Sequence, residues 1–91
     1  MTSRFDIVDY LDDEQVIGEY LTQVLEDGDN DEFIRALGYV ARARGMSEVA
    51  QRSGLGRENL YNALQGGRKP RFDTVLRVLH ALDLALVCRA R

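Results

Sequence analysis

Residue types that build catalytic and metal sites are scarce in this 91-residue chain. It contains one cysteine, Cys88, one histidine, His80, one proline and no tryptophan. A single cysteine cannot form an internal disulfide, and one cysteine with one histidine cannot supply a tetrahedral zinc site. No pair of acids lies in a pocket motif, so the sequence offers no candidate nucleophile, base or metal site. We therefore expect no enzymatic activity, no metal and no cofactor.

Long apolar runs are also missing. No stretch of about 18 apolar residues is present to span a membrane, and residues 1–6 lack the apolar core of a signal peptide. We expect a cytoplasmic protein without membrane contact. A hydrophobic content of 45% and a charged content of 30% are typical of a soluble helical globule. A chain of 91 residues supports one compact domain.

Basic residues are nearly absent from the first third of the chain. Residues 1–34 contain eleven acids and one base, a net charge of −10, whereas residues 35–91 contain eleven bases and four acids, a net charge of +7. We therefore divide the domain into an acidic arm, residues 1–29, and a basic body, residues 30–91. Such asymmetry favours two different partners. The alternative is that the acids merely solvate a surface helix.

Apolar residues recur at helical spacing in five segments, which predicts an all-α bundle of about five helices. The first helix follows Asp12, which caps it together with Gln15, and Gly28 ends it in a left-handed conformation. Further helices are expected at about residues 31–44, 47–53, 57–65 and 72–82. Residues 84–88 are short and apolar, so they form either a strand or a dimer contact.

The same spacing predicts which side chains face inward. They are Val16, Ile17, Tyr20, Leu21, Val24 and Leu25 in the first helix, Phe33, Ile34, Leu37, Val40 and Ala41 in the second, Val49, Leu55, Leu60 and Leu64 in the short helices, and Phe72, Val75, Leu76, Val78, Leu79 and Leu82 in the last.

The most specific pattern covers residues 45–65. Two short helices flank Gly54, which can adopt the positive φ that most residues resist. Ala50, four residues earlier, is small enough to let the two helices cross closely. This combination is typical of a helix-turn-helix, whose second helix enters the major groove of DNA.

The exposed face of that second helix carries side chains suited to DNA. Arginine bonds to guanine, and Asn or Gln to adenine, through two atoms, so Arg57 and Asn62 are the expected base readers and Asn59 is a third candidate. Glu58 accepts a bond from cytosine, orders Arg57 or supports the start of the helix, and the Tyr61 hydroxyl meets a phosphate. With the flanking phosphate contacts, the predicted DNA-binding residues are Ser47, Arg52, Arg57, Glu58, Asn59, Tyr61, Asn62, Gln65, Arg68, Lys69 and Arg71.

Two alternatives accompany these assignments. The same residues are, on the simpler interpretation, only the solvated side of a surface helix. Ser47 caps its own helix or donates to a phosphate. Since one helix-turn-helix reads only about four base pairs, we expect a homodimer on two half-sites of operator DNA, with the last helix and the apolar tail as the contact surface.

Three segments together resemble a known family: ALGYVARARGM at residues 36–46, GLGRENLYNAL at residues 54–64 and PRFDTVLRVL at residues 70–79. Asp9-Tyr10-Leu11 and Tyr20-Leu21 also fit. The chain resembles the probable addiction-module antidote proteins, HigA-like antitoxins of the Cro/C1-type helix-turn-helix group. The resemblance implies a lambda-repressor-like fold. It also implies an antitoxin that neutralises a small RelE-like or HigB-like ribonuclease toxin and represses their shared operon.

Two positions depart from the family pattern. Gly56 stands where the family tends to have a serine that opens the recognition helix, so a capping side chain is missing. Ser53 stands where such motifs usually bury an apolar residue. We expect the helix pair to be slightly less stable for these reasons.

The resemblance also gives the acidic arm a role. A toxin that cleaves RNA must hold a polyanion and so presents a basic surface, which residues 1–29 are expected to cover. Two other functions share parts of this pattern: a prophage-type transcriptional repressor without a toxin partner, and a protein-interaction module that has lost DNA binding.

Overall fold

The computed structural model describes residues 13–91, and all regular structure in this part of the chain is helical. Five helices follow one another: α1 (Glu14–Asp27), α2 (Asn30–Arg44), α3 (Met46–Ser53), α4 (Arg57–Ala63) and α5 (Phe72–Ala81). The predicted all-α bundle of five helices is confirmed, and every predicted boundary lies within two residues of the observed one. None of these helices is both long and apolar enough to cross a membrane.

The start and end of α1 differ from the prediction. Asp13, not Asp12, caps the helix, because its Oδ1 accepts the backbone N–H groups of Gln15 at 2.9 Å and Val16 at 3.4 Å. Asp12 itself lies outside the described residues. Gly28 is extended, with φ −102° and ψ −179°, so the predicted left-handed end is wrong. Because α2 begins only two residues later, an extended link connects the two helices directly.

The core forms where α1 packs on α2, α2 packs on α3, and α3 packs on both α4 and α5. The predicted residues that are buried there are Ile17, Leu21, Phe33, Ile34, Leu37, Val40, Ala41, Val49, Leu60, Leu64, Val75, Val78, Leu79 and Leu82. The structure adds Ala36, Met46 and Ala81, whose small or flexible side chains fill gaps between the helices.

Two residues predicted to lie in the core are exposed, so these predictions are wrong. Leu25 is 49% exposed and Phe72 is 65% exposed. Leu25 belongs to the last turn of α1, and Phe72 is the first residue of α5. Helical spacing identifies the inward face of each helix, but both of these side chains line an open groove where no neighbouring helix of residues 13–91 covers them.

α5 ends in a left-handed turn without glycine. Asp83 has φ +61°. Its backbone N–H donates to the carbonyl oxygen of His80 at 3.0 Å, and the backbone N–H of Leu84 donates to the carbonyl oxygen of Leu79 at 2.9 Å. This pair of bonds is the Schellman motif, in which glycine usually takes the position of Asp83.

The C-terminal tail, residues 84–91, has no regular secondary structure and lies beside α1. Arg89 lies 3.4 Å from Glu26 in an ion pair, and Leu84 approaches Gly18. Within residues 13–91 the tail has no strand partner. A strand at residues 84–88 is therefore absent from this part of the chain, and the alternative, a dimer contact, stays a prediction.

A close approach between α2 and the end of α4 positions α4. A Cβ added at Gly38 would lie 2.7 Å from the carbonyl oxygen of Leu64, which is too close for any side chain. The absence of a side chain at Gly38 thus lets α2 support α4 directly.

Candidate functional site

The bend predicted at Gly54 is present between α3 and α4. Gly54 has φ +76° and ψ +11°, the left-handed conformation, and its N–H donates to the Ala50 carbonyl at 3.1 Å. Two more residues complete the turn before α4 begins at Arg57. We call residues 46–63 the α3–α4 unit.

The buried hydroxyl of Ser53 has hydrogen-bond partners on both sides of the turn. The residue is only 8% exposed. Its hydroxyl donates to the Ala50 carbonyl at 3.2 Å and accepts the Leu55 N–H at 3.3 Å. Within residues 13–91 no buried side-chain nitrogen or oxygen lacks a partner. The polar residue at this position therefore bridges the turn and leaves no unsatisfied group, which offsets the cost expected for it.

Neither helix of the unit has a side-chain cap. Gly45 precedes α3 with φ +111°, and Gly56 precedes α4 in an extended conformation. At both helix starts the first backbone N–H groups have no side-chain partner. The capping role predicted for Ser47 is wrong, because α3 begins at Met46 and Ser47 lies inside the helix. Its hydroxyl is exposed.

α4 turns its polar side chains outward. Leu60 is fully buried, and the Leu64 side chain that follows the helix is 1% exposed, so these two residues anchor α4 to the body. The remaining predicted contacts in this region are Arg57, Glu58, Asn59, Asn62 and Gln65, which are exposed, and Tyr61, which is half-buried. Gln65 lies just beyond the end of α4.

Arg57 and Tyr61 contact each other on this outer face. The guanidinium carbon of Arg57 lies 5.8 Å from the centre of the Tyr61 ring, one helical turn further along. This is within the range of a cation–π interaction. Within residues 13–91 Arg57 makes no ion pair with Glu58. Glu58 lies in the first turn of α4, where a negative charge complements the helix dipole.

The loop that follows, residues 66–71, carries the basic residues Arg68, Lys69 and Arg71, which are all exposed. None of them is paired with an acid of residues 13–91. The Asp31 carboxylate accepts the N–H of Gly67 and so holds this loop against the start of α2. Sequence reasoning missed Asp31, because it lies 36 positions from Gly67 and no local pattern connects them.

Arg52 differs from the other predicted bases. Its guanidinium lies 2.9 Å from Asp83 at the end of α5 and 3.7 Å from Glu48 in its own helix. It joins α3 to α5, whereas Arg57 and the bases of loop 66–71 project into solvent.

α1 presents a second charged surface. Residues 13–34 contain eight acids and no base, and Glu19 and Asp27 are exposed on α1. The opposite face of α1 is part of the core, because Ile17 is fully buried and Leu21 is 4% exposed. An ion pair of 3.0 Å from Glu14 to Arg44 also joins α1 to the end of α2. α1 therefore packs on the body as an integral helix.

Comparison with known proteins identifies the family. The family model described as "Probable addiction module antidote protein" matches residues 1–90. The chain belongs to this family. This antidote-family protein is 42% identical over 80 residues to an uncharacterized protein of Haemophilus influenzae. The aligned residues cover 88% of this chain and 82% of that relative. No solved structure matches it.

Family membership confirms part of the resemblance drawn from the residues. An addiction-module antidote counteracts a toxin, so the family supports an antitoxin role with a toxin partner of some kind. The HigA-like and Cro/C1-type assignments stay predictions.

Proposed function

We propose that this antidote-family protein is a DNA-binding antitoxin that acts as a homodimer. The α3–α4 unit serves as a helix-turn-helix for operator DNA, and the protein represses its own operon. The acidic surface of α1 neutralises a RelE-like or HigB-like ribonuclease toxin. The observation that carries the DNA-binding proposal is the left-handed bend at Gly54, after which α4 exposes Arg57 and Asn62.

The residues of α4 suit base readout. In a helix-turn-helix the first turn and outer face of the second helix reach the base edges. Arg57 opens α4 and offers two donors to guanine, while Asn62, further along, matches adenine. Arg68, Lys69 and Arg71 follow directly, where they neutralise phosphates and set the register of the helix. The ion-paired Arg52 contributes less to this surface than they do.

A gel-shift titration with the DNA upstream of its own gene tests the DNA proposal. A dimer that places Arg68, Lys69 and Arg71 of both copies on phosphates loses affinity with a log–log salt slope of about −5. Excess unrelated DNA of the same length is the competitor. The proposal fails when no complex forms at low salt, or when unrelated DNA competes as well as the operator.

The toxin contact is supported by charge. A ribonuclease must hold RNA and so has a basic surface, and the exposed acids of α1 complement it. Deleting residues 1–29 is a poor test, because it also removes the core residues Ile17 and Leu21. Reversing the exposed Glu19 and Asp27 to Lys leaves that core in place.

Co-purification with the protein encoded by the adjacent gene measures this contact. We expect Glu19→Lys with Asp27→Lys to lose the toxin, whereas Glu58→Lys, which reverses an exposed acid outside α1, retains it. Capture of the toxin at undiminished yield by the double variant contradicts the proposed contact. A neighbouring gene product that binds none of the three proteins instead favours a prophage-type repressor.

A further inference from the structure

The chain that follows α4 contacts α2 at three successive points. The first is the close approach at Gly38 described above. One turn earlier in α2, the Arg35 side chain lies over Gly66, because a Cβ added at Gly66 would lie 2.9 Å from Arg35 Cδ. Another turn earlier, the Asp31 carboxylate accepts the N–H of Gly67. The three contacts follow one face of α2, since positions three or four apart share a helix face.

Asp31 and Arg35 are also joined to each other. Their carboxylate and guanidinium form an ion pair of 2.9 Å on successive turns of α2. The two oxygens of Asp31 therefore have different partners, because Oδ1 accepts from the loop backbone and Oδ2 pairs with Arg35. Hydrogen bonds to an ionised carboxylate are roughly twice as strong as bonds between neutral groups. We call Asp31, Arg35, Gly66 and Gly67 the α2–loop clasp.

The clasp lies directly before the exposed bases of loop 66–71. Arg68 and Lys69 follow Gly67 in the chain, and neither is paired with an acid of residues 13–91. Both are proposed above to neutralise DNA phosphates. A loop that is free to move must be ordered when it binds, which lowers affinity. A loop whose backbone is already held by α2 avoids part of that loss.

We infer that Asp31, assisted by Arg35, is a positioning residue for the proposed DNA contact. This acid strengthens binding to a polyanion, because it fixes the loop that carries Arg68 and Lys69. The inference rests on the proposed DNA binding. Charge alone predicts the opposite sign, since removing an acid beside a basic loop reduces the repulsion of phosphate. The sign of the effect therefore separates positioning from simple electrostatics.

Titration of operator DNA with Asp31→Ala and with Glu32→Ala tests the inference. Both variants remove one acid from the first turn of α2, so they change the net charge and the interaction with the helix dipole alike. Glu32 is a matched control, because its carboxylate lies beside Gly28 and makes no ion pair within residues 13–91.

We expect Asp31→Ala to lower operator affinity about 3–10-fold, which corresponds to ordering one long side chain on binding. Glu32→Ala should leave the affinity unchanged or raise it. The slope of log affinity against log salt should also be shallower for Asp31→Ala than for Glu32→Ala, because fewer phosphates are neutralised.

Asp31→Asn is the conservative variant. It removes the same charge as Asp31→Ala, but its amide oxygen can still accept the N–H of Gly67. We expect Asp31→Asn to bind the operator more tightly than Asp31→Ala. Equal affinities of these two variants would show that the bond to Gly67 does not position the loop.

Amide hydrogen exchange measured by NMR follows the clasp without DNA. The Gly67 N–H should exchange more slowly in the wild-type protein and in Glu32→Ala than in Asp31→Ala. Circular dichroism establishes that each variant is folded. The inference alone fails when the wild-type protein binds its operator and Asp31→Ala binds it as tightly as Glu32→Ala does. A wild-type protein that binds no DNA refutes the proposed function, and the inference with it.

Discussion

Arg57 is one of the residues proposed to read bases. It is exposed at the first position of α4, and its guanidinium lies over the ring of Tyr61 at 5.8 Å. The ring restricts the side chain while the N–H donors at the edge of the guanidinium stay available. This geometry gives Tyr61 a second role beside the phosphate contact predicted for its hydroxyl.

Replacing Arg57 with Ala should weaken operator binding by about 1–3 kcal/mol and leave folding intact, because the side chain is exposed and makes no core contact. The measurement is a gel shift or fluorescence titration at fixed salt. Arg91→Ala is the control, since it removes one exposed positive charge outside the α3–α4 unit. Equal affinities of the two variants would show that Arg57 contributes charge alone.

Tyr20 links pH to stability. Burial raises the pKa of the Tyr20 phenol above its ordinary value of 10.0, and repulsion from Tyr39 raises it further. The unfolded chain therefore releases this proton at lower pH than the folded protein does. The resulting stability is fully present below about pH 10 and is lost as pH rises through the folded-state pKa.

We expect Tyr20→Phe, which cannot ionise, to lose less stability than the wild-type protein between about pH 8 and about pH 11. Urea denaturation at the two pH values gives the two differences in the free energy of unfolding. Each protein's free energy of unfolding at the higher pH is compared with its own value at the lower pH. Any constant effect of losing the hydroxyl therefore cancels. Identical differences in both proteins would exclude Tyr20 as the source.

At the scale of an element, the turn between α3 and α4 requires a left-handed residue at one position. Gly54 has φ +76°, and a Cβ added there would meet only Arg77 Nη1 at 3.6 Å, an ordinary contact. The cost of a side chain at this position is therefore conformational and not steric crowding.

Gly54→Ala should lower the free energy of unfolding by about 1–2 kcal/mol, because alanine resists the left-handed region. Gly54→Asn should cost less, since asparagine tolerates that region. Urea denaturation of both variants checks the order. A larger loss for Asn than for Ala would mean that crowding, and not φ, makes glycine necessary here.

We expect substitution by alanine to have opposite effects at two helical glycines, because only one of them has room for a Cβ. Gly38 in α2 would place its Cβ 2.7 Å from the Leu64 carbonyl oxygen, whereas Gly18 in α1 would place it 3.9 Å from Leu84 Cδ2. We expect Gly38→Ala to destabilise by about 1–3 kcal/mol through overpacking. Gly18→Ala should stabilise by about 0.5–1 kcal/mol, because alanine favours helix more than glycine does.

Thermal or urea unfolding of the two alanine variants provides the comparison, and each serves as the control for the other. A stabilising Gly38→Ala variant would mean that α2 and the end of α4 are not in close contact. The helix that carries Arg57 would then lack the support described above.

At the scale of the whole molecule, α1 belongs both to an acidic surface and to the core. Ile17 and Leu21 are buried against the body, and each such side chain is worth about 2–5 kcal/mol. Their sum is comparable to the total stability of a small domain, which is roughly 5–15 kcal/mol.

A chain that begins at residue 30 should therefore lose its cooperative unfolding transition. Urea denaturation followed by circular dichroism compares it with the full chain. The double variant Ile17→Ala with Leu21→Ala separates the loss of core packing from the loss of acidic charge. If residues 30–91 alone unfold cooperatively with an unchanged urea midpoint, residues 1–29 do not contribute to the stability of the fold.

Local patterns in the sequence determined the five helices, the bend at Gly54 and the inward residues of α2, because helical periodicity and glycine conformation depend on neighbours within a few positions. The outer face of α4 followed from the same spacing once Leu60 was placed inside. The acidic and basic halves were likewise readable from composition.

Only the tertiary structure decided what covers each predicted face and which charges meet. It left Leu25 and Phe72 in solvent, joined Asp31 to Gly67 across 36 positions, and paired Arg52 with Asp83. Such contacts depend on how helices distant in sequence pack together, and periodicity within one helix carries no information about its neighbours. A groove beside Phe72 exists for the same reason, because the end of α1, the start of α2, loop 66–71, the start of α5 and the C-terminal tail all contribute to its lining.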